Sequence, residues 1–150
     1  SAASDVYKRQ VLPPAPAPAA NYVPYVKSNK LIFVSGQIPI LNGELVTGKV
    51  GKNIEIEDAK TAARLCGLAI VSQLNEATDL DLDKIKRIVK LGGFVNCVDE
   101  FTQQPEIING ASDLMVEVFR DKGKHSRFAV GTNSLPRNVV VEIEAIAEIH

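Results

Sequence analysis

From residue 57 to residue 77 apolar side chains return every three or four positions: Ala59, Ala62, Ala63, Cys66, Ala69, Ile70 and Leu74. Residues so spaced share one face of a helix, so this stretch is read as an amphipathic α-helix. Glu57 and Asp58 fall in its first turn, where carboxylates meet the positive end of the helix dipole. The stripe is largely alanine, which would let the helix lie close against a sheet. A second helix is predicted over residues 101–119, entered near Pro105, a residue tolerated in a first helical turn. Leu114, Met115 and Val118 form its apolar face.

The remaining patterning alternates. Residues 22–27 and 31–35 are β-rich runs separated by Ser28-Asn29-Lys30, a hairpin turn. Residues 38–46 hold Asn42-Gly43, a strong turn signal inside a short pair of strands, and Gly48 and Gly51 mark a loop. Residues 85–98 read as a long strand with Val89, Leu91, Val95 and Cys97 on one face. Gly92-Gly93 in its middle points to a bulge or a close neighbouring backbone. Residues 127–131 form a strand, 134–138 a turn and 139–149 a final strand. In that last strand Val139, Val141, Ile143, Ala145, Ala147 and Ile149 share one face, and Val140, Glu142, Glu144, Ile146 and Glu148 the other. The order strands, helix, strand, helix, hairpin implies an α+β domain, a mixed sheet with two helices packed on one face. The opposite face would lack a cover, and Val140 and Ile146 among its glutamates point to self-association there.

The first twenty residues break the pattern. Ser1 to Gln10 has no period, and residues 11–20 are a Pro/Ala tract whose prolines cannot donate to a ladder. The expectation is a disordered, extended lead-in over residues 1–20 and a folded domain over residues 21–150. Prolines also interrupt any continuous apolar core of a secretory signal. A chain of 150 residues suits one domain. The net charge of -1 argues against nucleic acid and anionic membranes as partners. Lys84-Ile85-Lys86-Arg87 is a short basic cluster, read as the solvated start of a strand. No apolar run is long enough for a membrane helix. Cys66 and Cys97 sit in apolar-periodic segments and are read as buried small hydrophobes in a reducing, cytoplasmic setting.

Candidate chemistry is sparse. Phosphate cradles, metal clusters and a Ser-His-Asp arrangement find no support, the histidines being His125 and His150 alone. What stands out is Arg127 with Glu142, which would face each other across a hairpin turning about Ser134-Leu135. Such a pair is either an ordinary cross-strand ion pair or a small polar site, and spacing does not choose between them.

Several motifs, taken together, carry a resemblance. Phe33-Val34-Ser35-Gly36-Gln37-Ile38-Pro39 is similar to the signature near the start of RidA/YjgF proteins, and residues 139–147 to their closing strand. Arg127 precedes Glu142 with Leu135-Pro136 between them, as in that family, and the likeness runs from about Tyr22 to Ile149. The resemblance implies a chorismate-mutase-like fold and a homotrimer with sites in clefts between subunits. It implies hydrolysis of 2-imino acids and their enamine tautomers to 2-oxo acids and ammonia, with no cofactor or metal. Arg127 matches the arginine that binds the substrate carboxylate, and Glu142 the glutamate that positions or activates water. Glu144, on the same face, is taken as structural. Ser35 matches a site serine or caps a strand end, and Tyr22 matches a cleft tyrosine, with Tyr25 as its rival. Asn109 matches an asparagine on the second helix. Gly36 either lets backbone approach a ligand or simply turns the chain.

Two departures bear on substrate choice. Ala129 stands where the best-known members carry cysteine, and His125-Ser126-Arg127 replaces their Pro-Ala-Arg. His125 is either a titrating neighbour of the site or a hydrogen-bonded surface residue. Besides the deaminase, a module that binds small 2-oxo acids without turnover is the alternative; an endoribonuclease, a label attached to this family, would call for a basic groove.

Overall fold

A computed structural model describes residues 12–150. Its core sheet has five strands in the order β1-β2-β7-β5-β6: β1 Tyr25–Ser28, β2 Leu31–Gln37, β5 Ile85–Asn96, β6 Ser126–Thr132 and β7 Val141–Ile149. A separate small hairpin pairs β3 Ile40–Leu41 with β4 Glu44–Leu45. The helices are α1 Ile56–Ala77 and α2 Gln104–Phe119. Both turn signals fall where turns form: Asn29 takes φ 54°, and Asn42 and Gly43 take φ 52° and 80°. Asn and Gly tolerate that left-handed region best. The α+β class is as expected, with both helices on one face of a mixed sheet.

The sheet's topology differs from the expected closing hairpin. β6 runs parallel to β5 and forms one edge, whereas β7 is antiparallel to both β2 and β5 and lies at the centre. The segment after β6 therefore crosses β5 before β7 begins. β7 earns that central place with the most complete alternation in the chain: Val141, Ile143, Ala145 and Ala147 are all buried toward the helices.

β5 differs in detail. Register shifts fall between Ile85 and Arg87 and between Ile88 and Lys90, rather than at the glycines. The second shift places Ile88 in the core beside Leu91 and Val95, while Val89, expected there, is only half-buried. Gly92 and Gly93 serve another purpose. A Cβ on Gly92 would meet the Phe128 ring at 2.6 Å, and one on Gly93 would meet Ile108 Cδ1 at 2.6 Å. The glycines thus admit side chains from both layers, not a neighbouring backbone. Helix α1 lies close to α2 for a similar reason, since a Cβ on Gly67 would stand 3.3 Å from the Ala111 Cα.

The Pro/Ala tract has no regular secondary structure, but from Leu12 onward it belongs to the folded body rather than to a separate lead-in. Leu12 packs against the core, Ser72 Oγ donates to the Pro13 carbonyl at 2.9 Å, and Gln73 Nε2 donates to the Pro16 carbonyl at 2.9 Å. Proline carbonyls remain acceptors though the ring removes the donor, so buried polar side chains of α1 can hold such a segment. The expectation for residues 1–11 lies outside the described residues.

Among the described residues no helix or further sheet covers the face of the sheet away from the helices. Phe33, Phe94 and Val130 are 41%, 37% and 41% exposed, and Phe94 meets Phe128 edge-on with ring centroids 5.2 Å apart. The aromatic pair is flanked by charge on this face, with Lys90 Nζ 5.2 Å from the Phe128 ring centroid.

Candidate functional site

Where β2 ends beside the start of β7, the chain encloses a cavity of about 590 Å³. Its walls come from the Pro/Ala tract at Pro16 to Ala20, from Tyr22, from Ser35 to Ile38, and from Arg137 and Glu142. The bulge between Val34 and Gln37 opens this end of the sheet. Ser35 is held there on both sides: its amide donates to the Pro24 carbonyl at 2.9 Å and its Oγ to the Val23 carbonyl at 2.8 Å. Buried Gln37 donates through Nε2 to the Ser35 carbonyl at 2.8 Å. Ser35 is therefore a strand-end hydroxyl and a cavity wall at once. Tyr22 lines the cavity, whereas Tyr25 packs against the core.

Gly36 has a specific reason. A Cβ there would fall 3.0 Å from Glu142 Cδ and nearer still to Oε2, so the carboxylate occupies the space a side chain would need. Besides the two sequence readings of this glycine, a turn and an approach to ligand, the structure gives it a further role: room for Glu142 at the cavity that Gly36 also lines. The Glu142 carboxyl is half-buried, and its pKa is raised, first by loss of solvation and second by the charge of Glu144 two residues on. A carboxylate stripped of water gains basicity because its charged form is disfavoured. Glu144 thus adds to that basicity from the same face.

Arg127 lies elsewhere. Because β5 separates β6 from β7, the expected cross-strand pair with Glu142 does not form; Arg127 aligns with Leu91 and Glu142 with Phe94. Arg127 instead reaches helix α2. Its Nη1 donates to Asn109 Oδ1 at 2.8 Å and to Ser112 Oγ at 3.0 Å, and its Nη2 to the Pro105 carbonyl at 3.3 Å. Asn109 and Arg127, both expected in the site, are therefore direct partners. Ala129 follows two residues along β6 and packs against the core at its edge.

Sequence reasoning passed over Ser112. Its Oγ also lies 2.9 Å from His125 Nε2, and His125 Nδ1 lies 2.6 Å from the Gly123 carbonyl. A carbonyl only accepts, so Nδ1 carries a proton and donates. A neutral ring then accepts at Nε2 from the Ser112 hydroxyl, leaving the Ser112 oxygen free to accept from Arg127. His125 is thus a hydrogen-bonded support of Arg127 at one remove. Only its place two residues before Arg127 could have hinted at this. Arg137 was also missed, being one of many scattered cations in the sequence.

Tyr22, Ser35, Gly36 and Glu142 thus gather at one cavity, and Asn109, Arg127 and Ala129 at the β6 edge. The family model described as "YjgF/chorismate_mutase-like, putative endoribonuclease" matches residues 6–149. The chain belongs to this family. Protein TCP17 of Trypanosoma cruzi is 45% identical over 141 residues, spanning 93% of this chain and 88% of that one. Atu1372 of Agrobacterium tumefaciens, a protein of unknown function, superposes with a TM-score of 0.91 at 44% identity, covering 99% of this chain and 94% of its own. TdcF of E. coli, solved with bound serine, superposes at 0.64 with 25% identity over 91% of this chain and 94% of its own. Membership agrees with the RidA/YjgF resemblance carried by the strand motifs and with the chorismate-mutase-like fold. Both cysteines are free and buried, and burial pushes the Cys66 thiol well up. Among the described residues no group of three or more His, Cys, Asp or Glu side chains is placed to hold a metal ion, and no helix is long and apolar enough to cross a membrane.

Proposed function

We propose that this protein hydrolyses reactive 2-imino acids and their enamine tautomers to 2-oxo acids and ammonia, in clefts formed when three copies associate. The observation that carries this reading is Glu142: a half-buried carboxylate of raised pKa facing a cavity, with Gly36 clearing space for it. A carboxylate whose basicity is raised suits general-base work. Its carboxylate takes a proton from water as the oxygen bonds to C2 of the iminium. It returns that proton to nitrogen and then takes the hydroxyl proton as the carbinolamine collapses, so that C–N breaks, C=O forms and ammonia leaves, carrying the last proton away as ammonium. A guanidinium is the natural grip for the substrate carboxylate. Arg127, oriented by Asn109 and Ser112, has that chemistry on a sheet edge, where a second copy can bring it opposite Glu142. The uncovered aromatic face supplies a surface for such association. A relative that holds serine fits a cleft sized for small amino-acid derivatives.

The alternative, a cleft that binds small carboxylates without turnover, draws on the separation of Arg127 from Glu142 within one chain. The two readings part under semicarbazide competition. An amino-acid oxidase generates imines from a panel of amino acids, and semicarbazide traps what remains. Hydrolysis requires that wild type suppress trapping and that Arg127→Ala and Glu142→Gln fail to do so, each slower by about 10²-fold or more. A wild type that suppresses nothing yet binds 2-oxo acids makes the protein a binding module.

A further inference from the structure

Arg137 lines the same cavity as Glu142 and has no part in the chemistry above. It follows Pro136 and takes φ 58°, ψ 20°, a left-handed conformation that costs most residues other than Gly, Asn and Asp about 1 kcal/mol. The loop around it is fixed on both sides. Asn138 donates its amide to the Leu135 carbonyl at 3.0 Å and accepts from the Gly48 amide at 2.9 Å. Buried Asn96 donates through Nδ2 to Asn138 Oδ1 at 3.3 Å and to the Val139 carbonyl at 3.2 Å. A backbone so held sets where the Arg137 side chain starts.

Arg137 takes part in none of the hydrogen bonds or ion pairs found among the described residues. Nor is it paired with Glu142: none of the ion pairs among the described residues joins the two. An arginine sharing a cavity with a carboxylate ordinarily pairs with it, because opposite charges that close stabilise each other. Here the two line one cavity without forming an ion pair.

We propose that Arg137 binds a second, distal carboxylate of the substrate, so that the site is tuned to 2-imino and 2-oxo acids with an acidic side chain. This rests on the Glu142 cavity being the reaction site. Arg127 serves the carboxylate next to the reacting carbon in that reading, and Arg137 is then the cation left for the far end. It also offsets the repulsion that Glu142 exerts on a dianion. A monocarboxylate gains nothing from it.

The test is binding of 2-oxoglutarate, oxaloacetate and 2-oxobutanoate, measured by calorimetry on the full chain. Wild type is compared with Arg137→Asn, which tolerates the left-handed backbone, and Arg137→Lys, with circular dichroism and melting curves as a check on folding. The expected result is preference for the dicarboxylates, a loss of about tenfold or more in their affinity in Arg137→Asn, and partial recovery in Arg137→Lys. The affinity for 2-oxobutanoate stays within about twofold, as an interaction it does not make predicts. Equal loss for all three acids overturns the proposal, because Arg137 would then grip the common carboxylate or support the fold. No change for any of them overturns it too, and leaves the Glu142 site standing. Wild type that binds none of them removes the site reading itself, and the proposal with it.

Discussion

At the scale of single residues the unusual feature is a glutamate whose surroundings favour its neutral form. The native pKa of Glu142 is raised, while the unfolded chain keeps the ordinary carboxyl value. A raised native pKa means the folded state binds the proton more tightly. Its contribution to stability is therefore full below the ordinary glutamate range and is lost as pH rises through the native value. Above that pH the charged carboxylate works against the fold. Glu142→Gln should then melt at a higher temperature than wild type at pH 8, the difference shrinking as pH falls toward 4. Thermal melts across that range check this; a variant less stable than wild type at pH 8 would show that Glu142 is held by a favourable partner instead. Activity should move the opposite way, as expected where a strained site trades stability for chemistry.

The elements hold this residue through close approaches that glycine makes possible. α1 and α2 cross where Gly110 faces Lys60 and Arg64; a Cβ at Gly110 would stand 3.1 Å from the Arg64 amide nitrogen and press on the Lys60 carbonyl. Both obstacles are backbone, so relief requires the helices to separate. Gly110→Ala, which would raise helix propensity on a surface, should here cost about 1–3 kcal/mol, the usual toll of overpacking. Chemical denaturation reads this as a lower midpoint with an unchanged slope. A neutral or stabilising effect would mean that the two helices have slack between them. The consequence reaches the site, because α2 carries Asn109 and Ser112, the two side chains that orient Arg127.

At the scale of the whole molecule one chain carries Glu142 at a cavity and Arg127 at a sheet edge, a strand apart. Closed rings assemble through unlike surfaces, each copy offering one of them to its neighbour. If the working site joins Glu142 and Arg127 across subunits, two inactive variants should rescue each other. Arg127→Ala and Glu142→Gln, unfolded together and refolded as mixed rings, should recover about a quarter of wild-type activity, since one combination in four restores an intact pair. Light scattering on the same samples gives the mass, with three chains expected. Absence of rescue from rings shown to be mixed would place both residues' work within one subunit.

Local physics and motif identity were legible along the chain. Helix periodicity placed α1 and α2, the Asn-containing turns fell where left-handed backbone is tolerated, and strand alternation along β7 separated its core residues from its glutamates. Of the residues named from the family resemblance, Tyr22, Ser35, Gly36 and Glu142 meet at a cavity and Asn109 binds Arg127. Tertiary structure decided the rest. A short turn after β6 looks like a hairpin in one dimension, yet β7 pairs between β2 and β5, so Arg127 and Glu142 are parted by a strand. The place of Ile88 follows from register shifts that alternation does not encode. The Pro/Ala tract becomes a cavity wall because Ser72 and Gln73 of α1 find its carbonyls. Each of these depends on which segments meet at long range, and periodicity along a chain carries no record of that.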